Sequence, residues 1–284
     1  MKHFVLCAVL ITFASVVTAG QDGSCENEKD QKSVPLTISD SKPRWSFQLK
    51  DFKRGPAPFI TFLESSATST LPVPHSEKDP GSEKGFHWSA AIKQSLLFLG
   101  VQHGYAFTQP KTRRDLKGEF FKDYVDSVKS LHGWGDGGRF FTNYIAHPME
   151  GSLLGFIQIQ NDPKGMHLSY ENSPAYWRSR LKALAWSAAW STQFEIGPVS
   201  QASIGNVGLH GKQTYVDLVV TPIGGFGLIV LEDFLDKNLI RMIERRNSGN
   251  FYVKVASRVF LNPTRTVANV LRFKTPWYRD SGLR

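Results

Sequence analysis

Three ionisable side chains stand shortly before prolines in segments that otherwise have helical patterns. The three are His147 before Pro148, Glu195 before Pro198 and Asp217 before Pro222. Proline cannot donate a hydrogen bond to the preceding turn, and it disfavours helical geometry in the residue before it. We therefore predict a helix break beside each of the three, with an imidazole and two carboxylates directed toward one poorly hydrated centre.

Asp217 and Glu195 both require a compensating group. Asp217 is the only charge in an apolar stretch that continues to Leu231, and an isolated carboxylate in such surroundings costs several kcal/mol unless it is paired. Glu195 falls in the last turn of a predicted helix, where the helix dipole disfavours a carboxylate. We expect a cation, a metal or a hydrogen-bond donor near Glu195, and we take His147 as the first candidate partner of Asp217.

Further polar residues support this candidate site. Asn143 lies four residues before His147, and Thr221 lies four residues after Asp217, so each pair shares a helix face. Three more acids lie near the same segments and complete the predicted set of supporting residues: Asp136, Glu150 and Glu232.

This set of residues fits three kinds of chemistry. His147 can act as a general base oriented by Asp217 or Glu195. A histidine and carboxylates can also bind a metal, although the spacing matches no close-ligand motif. Alternatively, the residues form a buried polar network that only fixes helix packing. We assign no metal ligand and expect no cofactor.

Helices are the elements that must position these residues. Apolar residues recur at helical spacing, or run through several turns, in the segments 88–107, 118–130, 140–159, 173–196 and 215–246. None of these is an uninterrupted apolar span of about twenty residues, as a simple transmembrane helix requires. We predict a mainly α fold, a compact bundle of short or proline-broken helices. A soluble bundle also fits, but we favour a membrane-associated one in which polar groups face the interior.

The chain divides into three parts. Residues 1–19 combine a charged start, a short apolar run and small residues at Val17 and Ala19, which is typical of a secretory signal peptide. Residues 20–85 form a polar arm or linker that can hold one or two short strands. Residues 86–284 form the helical domain. Removal of the signal leaves Cys25 alone, which excludes an internal disulfide.

Positive charge is concentrated at the C-terminal end. The segment 237–284 holds eleven Lys and Arg but only two acids, so it accounts for the whole net charge of +9. A basic face suits the anionic head groups of membrane lipids, although a solvated basic helix and tail fit as well. Predicted export disfavours nucleic acid as a partner.

Several strings resemble the centre of an uncharacterised bacterial envelope family, a domain of unknown function. They are Asn143-x-x-x-His147-Pro148-x-x-Gly151, Phe194-Glu195-x-Gly197-Pro198, Asp217-Leu218-x-x-Thr221-Pro222-x-Gly224-Gly225 and Asn262-Pro263-Thr264-Arg265. The order of His, Glu and Asp is also similar to that in the VanZ-like group of small helical membrane proteins. The resemblance spans residues 133–272 and implies an exported or membrane-bound helical domain without a settled activity. Glu150 departs from the family pattern, so we rank it and Glu232 below the three principal residues.

The sequence therefore predicts an exported, membrane-associated protein of the cell envelope and leaves two functions open. One is a hydrolase or transferase acting on a lipid or glycolipid head group, with His147 as the general base. The other is a non-catalytic structural or interaction protein whose buried polar residues fix helix packing.

Overall fold

The helices found in the structure lie close to the segments with helical patterns. The computed structural model describes residues 85–108, 112, 119–130, 133–134, 140–203 and 215–280. Within these ranges the chain is mainly helical and contains no strand, which confirms the predicted mainly α bundle. The predicted signal peptide, nearly all of the polar arm with its strands, and Asp136 lie outside the described residues.

Eight α-helices and two π-helical turns make up the described part. The α-helices are α1 (Trp88–Thr108), α2 (Phe120–Lys129), α3 (His147–Gln160), α4 (Pro174–Ile196), α5 (Tyr215–Leu235), α6 (Arg241–Arg246), α7 (Phe251–Leu261) and α8 (Pro263–Leu271). The π-helical turns are Thr142–Ala146, which leads into α3, and Asp236–Ile240, which joins α5 to α6.

Local sequence explains where two of these helices begin. The side chain of Ser173 accepts a hydrogen bond from the backbone N–H of Tyr176, and Pro174 occupies the first turn of α4. Asn250 accepts from the backbone N–H groups of Tyr252 and Val253 and caps α7 in the same way. Each cap satisfies N–H groups that have no partner inside the helix.

The predicted helix breaks at Pro148 and Pro222 are wrong. The backbone of His147 stays helical, and its N–H donates to the carbonyl of Thr142, five residues earlier. This wider turn accommodates the proline ring without ending the helix. Pro222 lies inside α5, which continues without interruption.

Helices α3 and α5 cross in backbone contact. A Cβ atom on Gly151 would collide with the carbonyl oxygen of Thr221, and one on Gly225 would lie 2.5 Å from the carbonyl carbon of Gly151. A Cβ on Gly224 would lie 2.7 Å from the ring of Pro148. The small residues at positions 224 and 225 permit this close approach of the two helices. This crossing holds the N-terminal ends of the two helices side by side.

An apolar cluster lies on the C-terminal side of that crossing. Leu153, Phe156 and Ile157 of α3 are fully buried there, together with Ala183 of α4 and Ile229 of α5. Across the described residues, however, more polar than apolar side chains are buried, and many large apolar ones are exposed. The apolar core is thus small for a bundle of this size.

Helix α5 shows most clearly this inverted polarity, in which polar side chains are buried and large apolar ones are exposed. Its inner face buries Glu232 and Asp233, whereas its outer face exposes Ile223, Leu231 and Phe234 by 61, 49 and 45%. The continuous helical stretch Tyr215–Arg246 is the one candidate in the described part that is long and apolar enough to cross a membrane, and 33% of its apolar window is buried.

Candidate functional site

His147 lies between two carboxylates. Its Nε2 is 3.3 Å from Oδ1 of Asp217, and its Nδ1 is 3.5 Å from Oε2 of Glu150. The His147 and Glu150 side chains are 8 and 6% exposed, and that of Asp217 is 18% exposed. The predicted pairing of Asp217 with His147 is confirmed.

Two features of the fold bring these groups together. The contact between Gly151 and Gly225 lets α3 and α5 approach without intervening side chains, so Asp217 at the start of α5 reaches His147 at the start of α3. Glu150 follows His147 by three residues and therefore lies on the same face, one turn along α3.

The surroundings of His147 favour its charged form. Burial alone would lower the pKa of this imidazole, but the hydrogen bond with Glu150 and the charges of Asp217, Glu150 and Glu195 raise it to about 10. His147 is therefore protonated at neutral pH, and each ring N–H faces a carboxylate. An imidazolium has no lone pair with which to accept a proton, so this state of His147 is not a general base.

The remaining predicted residues around His147 are also buried. Glu195 lies in the last turn of α4, and its negative charge helps to raise the pKa of His147. The imidazolium is thus a cation of the kind expected to compensate Glu195. Asn143 is buried in the π-helical turn before α3, and Thr221 is buried at the helix crossing.

Glu150 lies closer to His147 than its low ranking from the sequence predicted. It was ranked low because it departs from the family pattern, yet its carboxylate is as close to the imidazole as hydrogen bonding or ion pairing requires. The spacing of three residues from His147 was a signal that could have identified it.

Glu232 lies apart from this cluster. It accepts hydrogen bonds from the backbone N–H of Thr264 at 2.9 Å, the hydroxyl of Thr264 at 2.7 Å and the backbone N–H of Arg265 at 3.1 Å. Fifteen residues separate it from Asp217, about 22 Å along a helix. Glu232 therefore places a carboxyl group at the N-terminus of α8, where it accepts from backbone N–H groups that have no partner inside the helix.

A second buried charge cluster, which the sequence reasoning missed, surrounds Asp233. Arg180 donates through Nε to Oδ2 of Asp233 at 2.8 Å, Tyr176 donates its hydroxyl to the same oxygen at 3.0 Å, and Arg265 pairs with Oδ1. Arg180 is 1% exposed. Removing one partner of such a buried pair typically costs about 3–5 kcal/mol, because the other charge is left without compensation.

Internal ion pairs neutralise part of the positive charge of the C-terminal segment. Four of its arginines contact acids within the fold: Arg258 with Glu244, Arg265 with Asp233, Arg272 with Asp280 and Arg279 with Asp236. The exposed basic residues in the described part of this segment are Lys237, Arg245, Arg246, Lys254 and Lys274. The basic face is therefore smaller than the charge count indicated.

Exposed aromatic rings lie just before the His147 cluster in sequence. Phe140 and Tyr144 are 72 and 41% exposed, and their ring centroids are 5.0 Å apart. Tyr215, at the start of α5, is 48% exposed, and its backbone N–H donates to the carbonyl of Gly133. The partly exposed Asp217 lies two residues further on and gives the cluster its contact with solvent.

The described residues contain no group of three or more His, Cys, Asp and Glu side chains arranged to hold a metal ion. The geometry therefore gives the metal interpretation no support in this part of the chain.

Comparison with known proteins gives no further guidance. No family model, curated protein or solved structure matches the chain. The resemblance to the envelope family and to the VanZ-like group stays a prediction.

Proposed function

We propose that this chain is an exported, membrane-associated protein of the cell envelope whose buried ionic clusters fix the packing of its helices. The observation that carries the proposal is the inverted helix α5, with carboxylates on its inner face and large apolar side chains on its outer face.

Water disfavours such an arrangement and a membrane favours it. Soluble monomers rarely expose large contiguous apolar surfaces. Ionisable residues in membrane-associated helices face the protein interior and pair with one another. Glu232 and Asp233 follow this pattern, since both are buried and hydrogen-bonded, while Leu231 and Phe234 beside them are exposed.

The state of His147 supports a packing role. Its two N–H groups face carboxylates from two sides, and its raised pKa keeps it charged at neutral pH. The ion pair with Asp217 joins α3 to α5 where the helices touch. The imidazolium, which faces a carboxylate at each ring nitrogen, stabilises this junction. Buried polar networks of this kind can specify one arrangement of helices.

Membrane fractionation tests the proposal. We expect the wild-type chain to stay with membranes after a carbonate wash, and the triple substitution Ile223→Ser, Leu231→Ser, Phe234→Ser to shift it toward the soluble fraction. The control is Val199→Ser, which removes an exposed apolar side chain (58%) that follows α4 and should leave fractionation unchanged. A wild-type protein that stays soluble and monodisperse without detergent would overturn the proposal.

A second candidate is a hydrolase or transferase acting on a lipid or glycolipid head group. The observations that favour it are the partial exposure of Asp217 within the His147 cluster and the exposed rings of Phe140 and Tyr144, which precede His147 in sequence. Aromatic residues are enriched where a protein meets the membrane–water interface. In the state described, His147 would enter such a reaction as a general acid, since it already carries a proton.

Variants of the ion pair separate the two candidates. If the cluster is catalytic, His147→Ala and Asp217→Asn should abolish turnover of membrane lipids and should keep their folded yield. Turnover is measured by lipid analysis of cells with and without the protein. If it is a packing network, both variants should lose folded protein. Apolar replacement of His147 together with Asp217 should then restore it.

A further inference from the structure

Helix α7 carries an aromatic stripe along its outer face. Tyr252, Ala256 and Phe260 follow one another at intervals of four residues, so they lie on one side of the helix. All three are exposed, Tyr252 by 78% and Phe260 by 81%, whereas Ser257 on another side is buried. Helix α7 thus repeats the inverted polarity of α5, with large rings outside and a hydroxyl inside.

Phe273, two residues after α8, has a backbone conformation that favours glycine. Among the described residues other than glycine, it alone has a positive φ, 58°. Its N–H donates to the carbonyl of Val270, and the next N–H donates to that of Asn269, a helix ending at which glycine is the usual residue. The ring is nevertheless 89% exposed. Because strained residues concentrate where a protein binds or reacts, an exposed phenylalanine here points to a contact outside the fold.

The segment that holds Phe273 returns to α7. The rings of Phe251 and Trp277 pack edge-on with centroids 5.8 Å apart, and Arg258 donates through Nη1 to the carbonyl of Trp277 at 2.9 Å. These contacts place the segment after α8 alongside α7. We call α6, α7 and residues 272–278 together the C-terminal surface.

Exposed cations accompany the aromatic rings of the C-terminal surface. They are Arg245, Arg246, Lys254 and Lys274. The two acids of the segment 237–284, Glu244 and Asp280, are bound within the fold by Arg258 and Arg272. The exposed cations are therefore not neutralised by acids of their own segment, and the C-terminal surface attracts anions.

From these features we infer that the C-terminal surface lies on anionic phospholipid, with Tyr252, Phe260 and Phe273 at the level of the head groups and the exposed cations against the phosphates. Amphipathic helices with aromatic and basic side chains lie in the plane of the interface. Aromatic rings are enriched at that depth, and basic residues there attract anionic lipids.

This inference rests on the proposed membrane association and adds the class of head group that the chain selects. Helix α5, which carries that proposal, contains no lysine or arginine. Its contact with lipid should therefore be independent of head-group charge, whereas that of the C-terminal surface should depend on it. The two contacts can be tested separately for this reason.

A fluorescent label on the outer face of α7 tests the inference. Cys7→Ser and Cys25→Ser remove the native cysteines, and Ala256→Cys places an NBD label between Tyr252 and Phe260. The full chain is reconstituted into vesicles of phosphatidylcholine alone or of an equal mixture with phosphatidylglycerol. We expect the emission maximum to shift to the blue in the mixture, because the label enters a less polar region, and high salt to reverse the shift by screening.

The outcomes separate this inference from the proposed function. The same label at Val199→Cys, an exposed position outside the C-terminal surface, should emit at the same wavelength in both kinds of vesicle. A chain that floats with both vesicles but shows no difference at position 256 would overturn the inference alone. A chain that floats with neither would overturn the proposed membrane association as well.

Variants in the labelled chain assign the contact to residues. Tyr252→Ser with Phe260→Ser should lose the blue shift. Lys254→Gln should raise the fraction of phosphatidylglycerol that the shift requires, and Lys164→Gln, an exposed lysine after α3, should not. A blue shift that survives the loss of both rings would refute their assignment, and the comparison of the two vesicles on the unsubstituted surface stays decisive if a variant fails to fold.

Phe273→Gly distinguishes a lipid contact from a role in folding. Glycine adopts the positive φ without strain, so this variant should have a higher melting temperature and yet a smaller blue shift at position 256. A residue kept only for the fold would not show opposite effects on stability and lipid contact. An unchanged shift in this variant would remove Phe273 from the proposed contact and contradict the inference as stated.

Discussion

Two buried histidines in this chain have opposite surroundings. His147 faces carboxylates on both nitrogens, and its pKa is raised to about 10. His103 of α1 contacts only a neutral partner through Nδ1, the carbonyl of Leu99 at 3.0 Å, and packs edge-on against Phe194. Burial lowers the pKa of His103, and the hydrogen bond with Leu99 opposes this only in part. The same residue type is therefore a cation at one position and a neutral ring at the other.

Stability should fall as pH rises through the range in which His147 loses its proton. The pKa of His147 is higher in the folded chain than its value of 6.5 in an unfolded one. Its stabilising contribution is complete below that unfolded value and is lost as pH rises through about 10. Relative to a His147→Gln variant, the melting temperature of wild type should therefore decrease over this interval, as followed by circular dichroism.

His103→Gln is the matched control for this pH series. Because burial lowers the pKa of His103, its contribution to stability is present above pH 6.5 and decreases on acidification. The wild-type advantage over His103→Gln should grow as pH rises, opposite to that over His147→Gln. Identical pH profiles for the two variants would contradict the charge states assigned to these histidines.

The sequence predicts some of these partners and not others, for a physical reason. A lone charge in an apolar stretch needs compensation, so the pairing of Asp217 with an imidazole could be anticipated. Arg180 and Arg265 lie in segments with many other polar residues, and nothing in the local pattern distinguishes a buried arginine from an exposed one. Their convergence on Asp233 depends on how α4, α5 and α8 pack.

Among the elements, the positions of the helices follow from sequence better than their continuity does. The predicted segments 173–196 and 118–130 agree with α4 and α2 to within two residues at each end. The expected breaks at Pro148 and Pro222 do not occur, because a π-helical turn accommodates the first and packing against α3 supports the helix around the second. Tertiary contact has outweighed the local preference against proline inside a helix, which amounts to about 3 kcal/mol.

The crossing of α3 and α5 should not tolerate a single added methyl group. Gly225→Ala would place a Cβ 2.5 Å from the backbone of Gly151 and force the helices apart. Overpacking of this kind typically costs about 1–3 kcal/mol, and the separation should also weaken the contact between His147 and Asp217. We expect a lower melting temperature and a smaller dependence of stability on pH above neutrality.

Gly227→Ala provides the comparison on the same helix. A Cβ at this position meets no atom within 4 Å, so the substitution should stabilise α5 by about 0.5–1 kcal/mol through lower backbone entropy in the unfolded chain. If both alanine variants shift the melting temperature in the same direction, the close approach of the two backbones does not determine which residue position 225 tolerates.

At the scale of the whole molecule, the distribution of polarity is the dominant feature. Composition alone is that of an ordinary globular chain, with 41% hydrophobic residues and 21% charged residues. Only the packing reveals that carboxylates and arginines lie inside while Ile223, Leu231 and Phe234 lie outside. Periodicity indicated helices, but it could not decide which face of α5 was the inner one, because that helix is apolar nearly all round apart from its ends.

The proposed export makes a separate prediction about the processed protein. Cleavage after Ala19 should give a mature chain that begins at Gly20, as read by mass spectrometry of protein recovered from the cell envelope. Ala19→Arg should block processing, because the position before the cleavage site requires a small residue. Thr18→Arg, one position earlier, should still be processed. A mature chain that retains residues 1–19 would show that this segment is not a cleaved signal.

The backbone contact between Gly151 and Gly225 also predicts which residues related sequences retain together. Neither position can change alone without driving the helices apart, and the imidazole and carboxylate meet only while the helices touch. In sequences that share ancestry with this chain, both glycines should therefore persist wherever His147 and Asp217 persist, and should diverge together where that pair is lost.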